Sequence, residues 1–231
     1  MEIKDSEHLR VNRRDFLALA EGLIGAVCLG GCVGAGSSHA APITFSETRC
    51  GGKSLTGKKL LVAYASKYGS TGGVADAIGQ ELCSKGATVD VLLMKNVVDL
   101  GSYQGVVVGS PIYMGEWLPE AVDVVKNNVE VLRRIPVAYF LVCMTLREPT
   151  QENRAKALAY LDPVLKAIPE INPVGIGAFA GALDYSNLSW PTKMIMKSKG
   201  EPQGDFRDWK AIRAWAEQSV FTKFSTLNQQ P

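Results

Sequence analysis

A short turn rich in hydroxyl side chains follows the first apolar run in the main body of the chain. The run KLLVAYA, Lys59 to Ala65, comes before the turn, and an amphipathic stretch comes after it. The turn consists of Ser66, Lys67, Tyr68, Gly69, Ser70 and Thr71. Hydroxyls donate hydrogen bonds, and a glycine lets backbone N–H groups converge where a helix begins. The pattern predicts a phosphate site, and the alternative is a tight turn with an N-cap and no ligand.

A second group of candidate residues follows the third apolar run. The segment GSPIYMGEW, Gly109 to Trp117, brings apolar and planar side chains to the end of a predicted strand. Such side chains can form the walls of a pocket for a flat ring. The candidates are Ser110, Pro111, Ile112, Tyr113, Met114, Gly115 and Trp117. Trp117 fits a second interpretation equally well, as a core residue at the start of the next helix.

A third candidate loop, CMTLREP, follows the fourth apolar run, and its ring-contacting candidates are Thr145 and Leu146. Cys143 at its start is predicted to be a buried strand residue in preference to a redox thiol. We therefore expect three loops to converge at one edge of a sheet, with Cys143 outside the chemistry.

The sequence predicts alternating strands and helices as the elements that position these loops. Five apolar runs are candidate strands: Lys59–Ala65, Thr88–Met94, Gly105–Ser110, Pro136–Met144 and Pro173–Leu183. Most are continuously apolar, which is typical of strands covered on both faces. Because a helix is predicted between successive strands, the fold class expected is α/β, with a parallel doubly wound sheet and helices on both faces.

Four helices are predicted from apolar stripes and from capping residues. The first presents Val74, Ile78 and Leu82 and stops at Gly86, and the second runs from Leu118 to Leu132. The third opens near Thr150 and is expected to kink or split at Pro163. The last is expected to start with Asp205 as N-cap and to turn a stripe toward the sheet: Phe206, Trp209, Ile212, Ala216 and Val220.

Several function classes are excluded by the residues that are missing. The two histidines are His8 and His39, which lie before the predicted domain, so histidine-dependent hydrolases and His-ligated zinc sites are excluded. GGKS at Gly51 to Ser54 lacks the first glycine of a nucleotide-binding P-loop, and the glycines from Gly175 to Gly181 have the wrong spacing for a dinucleotide fingerprint. A net charge of +2 is too mild to indicate nucleic acid as a partner.

The first 44 residues have the sequence features of an export signal. Arg13 and Arg14 precede a short apolar stretch interrupted by Glu21, which resembles a twin-arginine signal and is too short for a typical membrane span. Two endings stay open: LGGC resembles a lipobox that would be acylated at Cys32, and SSHA resembles a cleavage site after Ala40. The favoured expectation is a lipid-anchored domain on the outer face of the cytoplasmic membrane or in the periplasm.

The cysteines that follow the predicted signal do not indicate a disulfide framework. Cys50, Cys83 and Cys143 are odd in number and lack metal-site spacing, so no structural disulfide is implied. The organisation predicted is a signal and tether over residues 1–44, a linker over 45–57, one domain over 58–225 and a tail over 226–231.

The turn from Ser66 to Thr71, together with the segment from Gly109 to Trp117, resembles the flavodoxin family. The resemblance implies a five-stranded sheet of order 2-1-3-4-5 and FMN as cofactor, with its phosphate in the turn and its ring between the later loops. It also implies that the peptide at Gly115 turns toward the flavin. Lys67 and Tyr68 depart from the usual leading pattern of the family's phosphate loop.

Two further segments, AGALDYSNLSWPTKMIMK (Ala180 to Lys197) and DFRDWKAIRAWAEQ (Asp205 to Gln218), are similar to the flavodoxin-like protoporphyrinogen dehydrogenases. That resemblance implies an enzyme passing electrons from a porphyrinogen or another reduced substrate to a quinone. The alternative is an exported one-electron carrier that docks on envelope redox proteins. The stretch from Trp190 to Gly200 is either a lipid-contacting patch or a surface helix with its apolar residues packed inward.

Overall fold

The apolar runs form the strands of one central sheet, and the stretches between them form helices. A computed structural model of the chain describes residues 45, 47–51 and 58–227. The predicted export signal, including Cys32, lies outside the described residues, as do most of the predicted linker and the last four residues.

Within the described residues the strands are β1 Thr48–Cys50, β2 Lys59–Tyr64, β3 Thr88–Leu93, β4 Gly105–Tyr113, β5 Glu116–Trp117, β6 Val137–Val142, β7 Gly175–Phe179, β8 Ala182–Leu183 and β9 Gly204–Asp205. The α-helices there are α1 Ser70–Ser84, α2 Pro119–Asn127, α3 Val129–Leu132, α4 Gln151–Ala159, α5 Asp162–Ala167, α6 Trp190–Ser198, α7 Trp209–Trp215 and α8 Thr222–Leu227. A π-helical segment, Ala216–Phe221, joins α7 to α8.

Five parallel strands make up the centre of the sheet. Their spatial order is β3-β2-β4-β6-β7, which confirms the predicted 2-1-3-4-5 arrangement. The order reverses between β2 and β4, so the loops after these two strands face each other at their carboxyl ends. This topological switch point is where α/β sheets of this type bind ligands.

Apolar side chains cover both faces of the sheet, as the continuous runs predicted. On one face Leu61 and Val108 pack with helices α2 to α5. On the other face Val62 and Phe140 pack with α1, α7, the π segment and α8. Since burial of each large apolar side chain stabilises by about 1.5–3 kcal/mol, these two layers hold the strand ends in fixed positions.

Strand β1 and a disulfide correct the prediction at the N-terminal edge. Residues 48–50, assigned to a linker, pair antiparallel with β3. Cys50 of β1 is joined to Cys83 in the last turn of α1, and their Cα atoms are 6.1 Å apart. The expectation of no structural disulfide is therefore wrong, because the pairing depends on an edge strand of three residues with little apolar character.

Two loop segments are partly strands. The predicted loop Gly109–Trp117 is mostly a β-hairpin, in which β4 continues to Tyr113 and pairs with β5. The last predicted strand, 173–183, is β7 followed by the short strand β8, which leaves the central sheet and pairs with β9. The carboxyl edge of the sheet therefore carries two short antiparallel ribbons.

The helices agree with the sequence except at their ends. Thr150 caps α4, and the predicted break near Pro163 separates α4 from α5. The second predicted helix is divided at Asn128 into α2 and α3. The last helix is capped by Asp208, and Asp205 lies in β9, so the predicted start is wrong by three residues.

The stripe predicted for the last helix is correct in its second half. Ile212, Ala216 and Val220 are fully buried, whereas Trp209 is 39% exposed. None of the helices in the described part of the chain has the length and apolar character that a membrane span needs.

Candidate functional site

The turn between β2 and α1 has the geometry of an anion-binding loop. Gly69, with φ of 85°, is the left-handed residue before α1, and its N–H donates to Ser66 Oγ over 3.1 Å. The carbonyl of Gly69 accepts from Gly72 N at 3.0 Å, which closes the first turn. N–H groups of a first helical turn have no acceptor inside the helix, and Ser70 and Thr71 are the first two residues of this turn.

The chemical composition of the turn fits a phosphate dianion. Residues 65–71 carry three hydroxyl side chains from Ser and Thr, one lysine and no carboxylate. Thr71 is buried, whereas Lys67 is exposed and can approach a bound anion from solvent. The positive end of the α1 dipole adds about 0.3–1 kcal/mol for an anion at an exposed site.

The ribbon β8–β9 and the following Arg207, which we call the strap, contact this turn from the outside. The sequence did not predict these contacts. Ser70 Oγ accepts from Ala182 N of β8 at 2.7 Å. Arg207, just after β9, donates to the carbonyl oxygen of Ser70 at 3.4 Å. Ala182 and Arg207 are 112 and 137 residues away from Ser70 in the sequence, and both form hydrogen bonds with it.

Arg207 is itself fixed on three sides. Its guanidinium pairs with Asp205 at 2.7 Å and lies 4.4 Å from the ring centre of Trp209. The hydrogen bond from Arg207 lowers the pKa of the Asp205 carboxyl. The result is a charge-paired guanidinium that braces the backbone at the N-terminus of α1.

The hairpin β4–β5 places the second candidate group across from this turn. Met114 and Gly115, with φ of 55° and 87°, form its two-residue loop, and this pair of positive values is typical of a type I′ turn. Ser110, fully buried, accepts from Leu118 N at 3.0 Å and donates to the Pro111 carbonyl at 2.9 Å. The Ser110 hydroxyl is therefore used to hold the base of the hairpin.

The side chains of the hairpin differ in how far they are available to a ligand. Met114 at the tip is 66% exposed, and Ile112 and Tyr113 are half-buried. Trp117 is 3% exposed and packs edge-on against Tyr139 at 5.3 Å between ring centres. Of the two interpretations of Trp117, the structure favours the core residue.

Lys67 joins the first turn to the hairpin. Its Nζ lies 3.4 Å from the ring centre of Tyr113, a cation–π contact between the two loops. The two loops that flank the switch point are therefore in direct contact through a residue that departs from the usual family pattern.

The third loop contributes less to the edge than the sequence indicated. Leu146 is buried in the core, and Thr145 is half-buried within a 3₁₀ turn, Met144–Arg147. Cys143 is 5% exposed, and burial raises the pKa of its thiol. The prediction that Cys143 is a buried strand-end residue in preference to a redox thiol agrees with this burial.

A cleft of about 260 Å³ lies at the carboxyl ends of β2 and β3. Its walls are Phe45, Tyr64, Ala65, Ser66, Leu93, Met94, Lys95 and Glu120. Burial raises the pKa of Tyr64 to about 12. Among the residues that the structure describes, no cluster of side chains is suited to a metal ion.

Comparison with known proteins places this geometry in context. Residues 61–208 match the family model described as the flavodoxin domain. A curated relative from Leishmania major, named protoporphyrinogen IX dehydrogenase [quinone], is 27% identical over 170 residues, covering 68% of this chain and 73% of the relative.

Solved structures include a flavoprotein in complex with FMN from Lactobacillus acidophilus, with a TM-score of 0.40 and 15% identity over 52% of this chain and 93% of that chain. Another is the rubredoxin oxygen:oxidoreductase of Desulfovibrio gigas, with a TM-score of 0.45 and 15% identity over 74% of this chain. This chain spans about a third of that larger protein, 37% of its length.

Proposed function

This chain belongs to the flavodoxin family, and from that premise we propose that it is an FMN-dependent oxidoreductase that passes electrons from a reduced organic substrate to a quinone. The observation that carries the proposal is the hydroxyl-lined turn from Ser66 to Thr71 at the switch point of the sheet, within the matched residues 61–208. FMN supplies the hydride and electron chemistry when it is bound.

Different residues at the switch point would contact different parts of this cofactor. Ser66, Ser70 and Thr71, with the first N–H groups of α1, would hold the phosphate. Tyr113 and Met114 would bound the ring on the hairpin side, and Gly115 lets the backbone turn at the tip. Thr145 lies on the third loop, where it would meet the other edge of the ring. Leu146 and Trp117 support this arrangement from the core.

An enzyme with a quinone acceptor is supported by the 27% identical relative, whose name includes a quinone. The segment between β8 and β9 reaches the third loop. Arg147 of the third loop forms an ion pair with Glu201 of that segment. The substrate class stays broad, with a porphyrinogen as one member of it.

Export through the twin-arginine route, with a lipid anchor on Cys32, is the location we propose. The support within the described residues is the disulfide between Cys50 and Cys83. Disulfides persist in oxidising compartments and are rare in the cytosol.

The experiment compares two acceptors for the reduced, FMN-loaded full chain under anaerobic conditions. We expect a soluble menaquinone analogue to reoxidise the flavin with no other protein present. Reoxidation that is slow with the quinone and fast with a redox protein would contradict the enzyme and favour the one-electron carrier.

A further inference from the structure

The segment between β8 and β9, residues 184–203, is an excursion from the carboxyl end of the sheet. Its two ends are held together by the pairing of Ala182 with Asp205 and of Leu183 with Gly204. The hydrogen bond from Ala182 to Ser70 ties the root of the excursion to the phosphate turn. Whatever the excursion contacts is therefore brought to the end of the molecule where the site lies.

Helix α6 within this excursion exposes its apolar side. Trp190 is 74% exposed, Met194 50% and Ile195 36%. The half-buried positions of the same helix are Thr192, Lys193 and Met196. At 100° per residue, the three exposed apolar positions share one arc of the helix with Pro191. A helix on the surface of a soluble domain normally turns this arc inward. Of the two interpretations of this stretch, the helix with its apolar residues packed inward therefore disagrees with these exposures.

The flanks of this arc are basic. Lys193 and Lys197 are one turn apart, and Lys199 follows at the helix C-cap. Residues 185–200 include no Asp or Glu. The acidic residues at the borders already have partners, since Glu201 pairs with Arg147 and the Asp184 side chain accepts from Ser186 N at 2.8 Å.

We propose that the exposed arc of α6 docks on the interfacial region of a bilayer that contains anionic lipids. An apolar arc with a tryptophan and flanking lysines matches the boundary between acyl chains and negative headgroups. A single face of a nine-residue helix is small beside the roughly 800 Å² per partner of a stable protein interface. The proposal rests on α6 alone and does not depend on FMN or on a quinone.

The first test uses the intrinsic fluorescence of the full chain with vesicles of phosphatidylcholine and phosphatidylglycerol, seven to three, whose acyl chains are brominated. We expect the lipid to quench the emission of Trp190 because bromine acts only over a short distance. The variant Trp190→Phe should lose most of this quenching. The matched variant Trp209→Phe, which removes a half-exposed tryptophan stacked on Arg207, should keep it.

This readout reports insertion of α6 even where another part of the chain holds the protein on the vesicle. Equal quenching in the wild type and in Trp190→Phe, or no quenching in either, would overturn the proposal. It would also be overturned by a dimer that forms without vesicles and is lost in Trp190→Phe, which would assign the arc to a second copy of the chain.

The second test removes charge and leaves the apolar arc intact. Replacing Lys193, Lys197 and Lys199 by Gln should weaken the vesicle-dependent quenching of Trp190, with roughly a fivefold higher lipid requirement per lysine. A control with Lys126, Lys156 and Lys166 replaced by Gln changes three exposed lysines on other helices and should leave the lipid requirement unchanged. Equal effects of the two triple variants would contradict specific docking through α6.

Discussion

Gly69 sets the shape of the phosphate turn through its backbone. With φ of 85°, it lies in the left-handed region, where a Cβ costs about 1–2 kcal/mol. We expect Gly69→Ala to lower the free energy of unfolding by that amount and to weaken FMN binding at least tenfold, because the N–H groups around the turn would no longer converge. Calorimetric titration with FMN measures the second effect.

The matched control for this variant is Gly200→Ala. Gly200 also has a positive φ, of 66°, and lies in the excursion with open space where a Cβ would be. It should lose a similar amount of stability and keep its FMN affinity. Equal affinities of the two variants would show that the turn does not shape the phosphate site.

Asp90 is a buried carboxylate that makes stability depend on pH. It accepts from Tyr103 Oη at 2.8 Å and from Arg49 Nη2 at 3.2 Å. Burial acts to raise its pKa, but the hydrogen bonds from Arg49 and Tyr103 outweigh burial and hold the pKa of this carboxyl below its usual value. A lowered pKa means that the stabilisation is present above about pH 4, the usual pKa of an aspartic acid, and is lost as the pH falls further.

We therefore expect the wild-type free energy of unfolding to fall on acidification below about pH 4, and Asp90→Asn to show a smaller fall. At neutral pH the variant should be less stable by about 1–3 kcal/mol, because a charge-assisted pair is lost. Urea unfolding at a series of pH values measures both effects. The exposed Asp123→Asn serves as the control. If the free energy of unfolding of Asp90→Asn falls on acidification as much as that of Asp123→Asn, the assignment is refuted.

At the scale of elements, the ribbon β8–β9 depends on one side chain of α1. Ser70→Ala removes the acceptor of the Ala182 N–H, and leaving such a donor unpaired costs about 1–3 kcal/mol where it is shielded from water. We expect the amides of residues 182–183 and 204–205 to exchange hydrogen faster, by at least tenfold. Hydrogen exchange with fragment-level resolution measures this change.

Ser84→Ala is the comparison, since Ser84 bonds the Glu81 carbonyl at the other end of the same helix. It should leave exchange in the ribbon unchanged. If Ser70→Ala behaves in the same way, the ribbon is held by other contacts.

The disulfide joins an edge strand to the helix that begins at the phosphate turn. It closes a loop with a sequence separation of 33, and a cross-link of this kind stabilises by about 2–4 kcal/mol. We expect reductant to lower the free energy of unfolding of the oxidised protein by this amount. Cys50→Ser should already have the lower value and should not respond to reductant. A response of equal size in Cys50→Ser would rule out this pairing.

At the scale of the whole molecule, the sequence is sufficient for the parts of the fold that depend on local pattern. The apolar runs around Val62, Val108 and Phe140 predicted strands buried on both faces, and their alternation with helices predicted a parallel sheet. The strand order came from the resemblance to the flavodoxin family. Thr150 and Pro163 marked helix boundaries because capping and ring sterics act over a few residues.

The remaining features depend on contacts between distant residues, and no local pattern encodes them. The strand of Cys50 has three residues, and its cysteine finds Cys83 only after β1 pairs with β3. Trp117 fitted the core and the ring wall equally until its packing on Tyr139 placed it in the core. Arg207 and Ser70 are far apart in the chain, so the strap on the phosphate turn appears only in three dimensions.

The switch point between β2 and β4 is the site that we propose holds FMN by its phosphate. The most direct test is a titration of the purified, cofactor-free full chain with FMN and, in parallel, with riboflavin, followed by visible absorbance and flavin fluorescence. We expect a yellow complex of one FMN per chain and an affinity at least a hundredfold lower for riboflavin, which lacks the phosphate. A chain that stays colourless with FMN, or that binds both flavins equally, would contradict it.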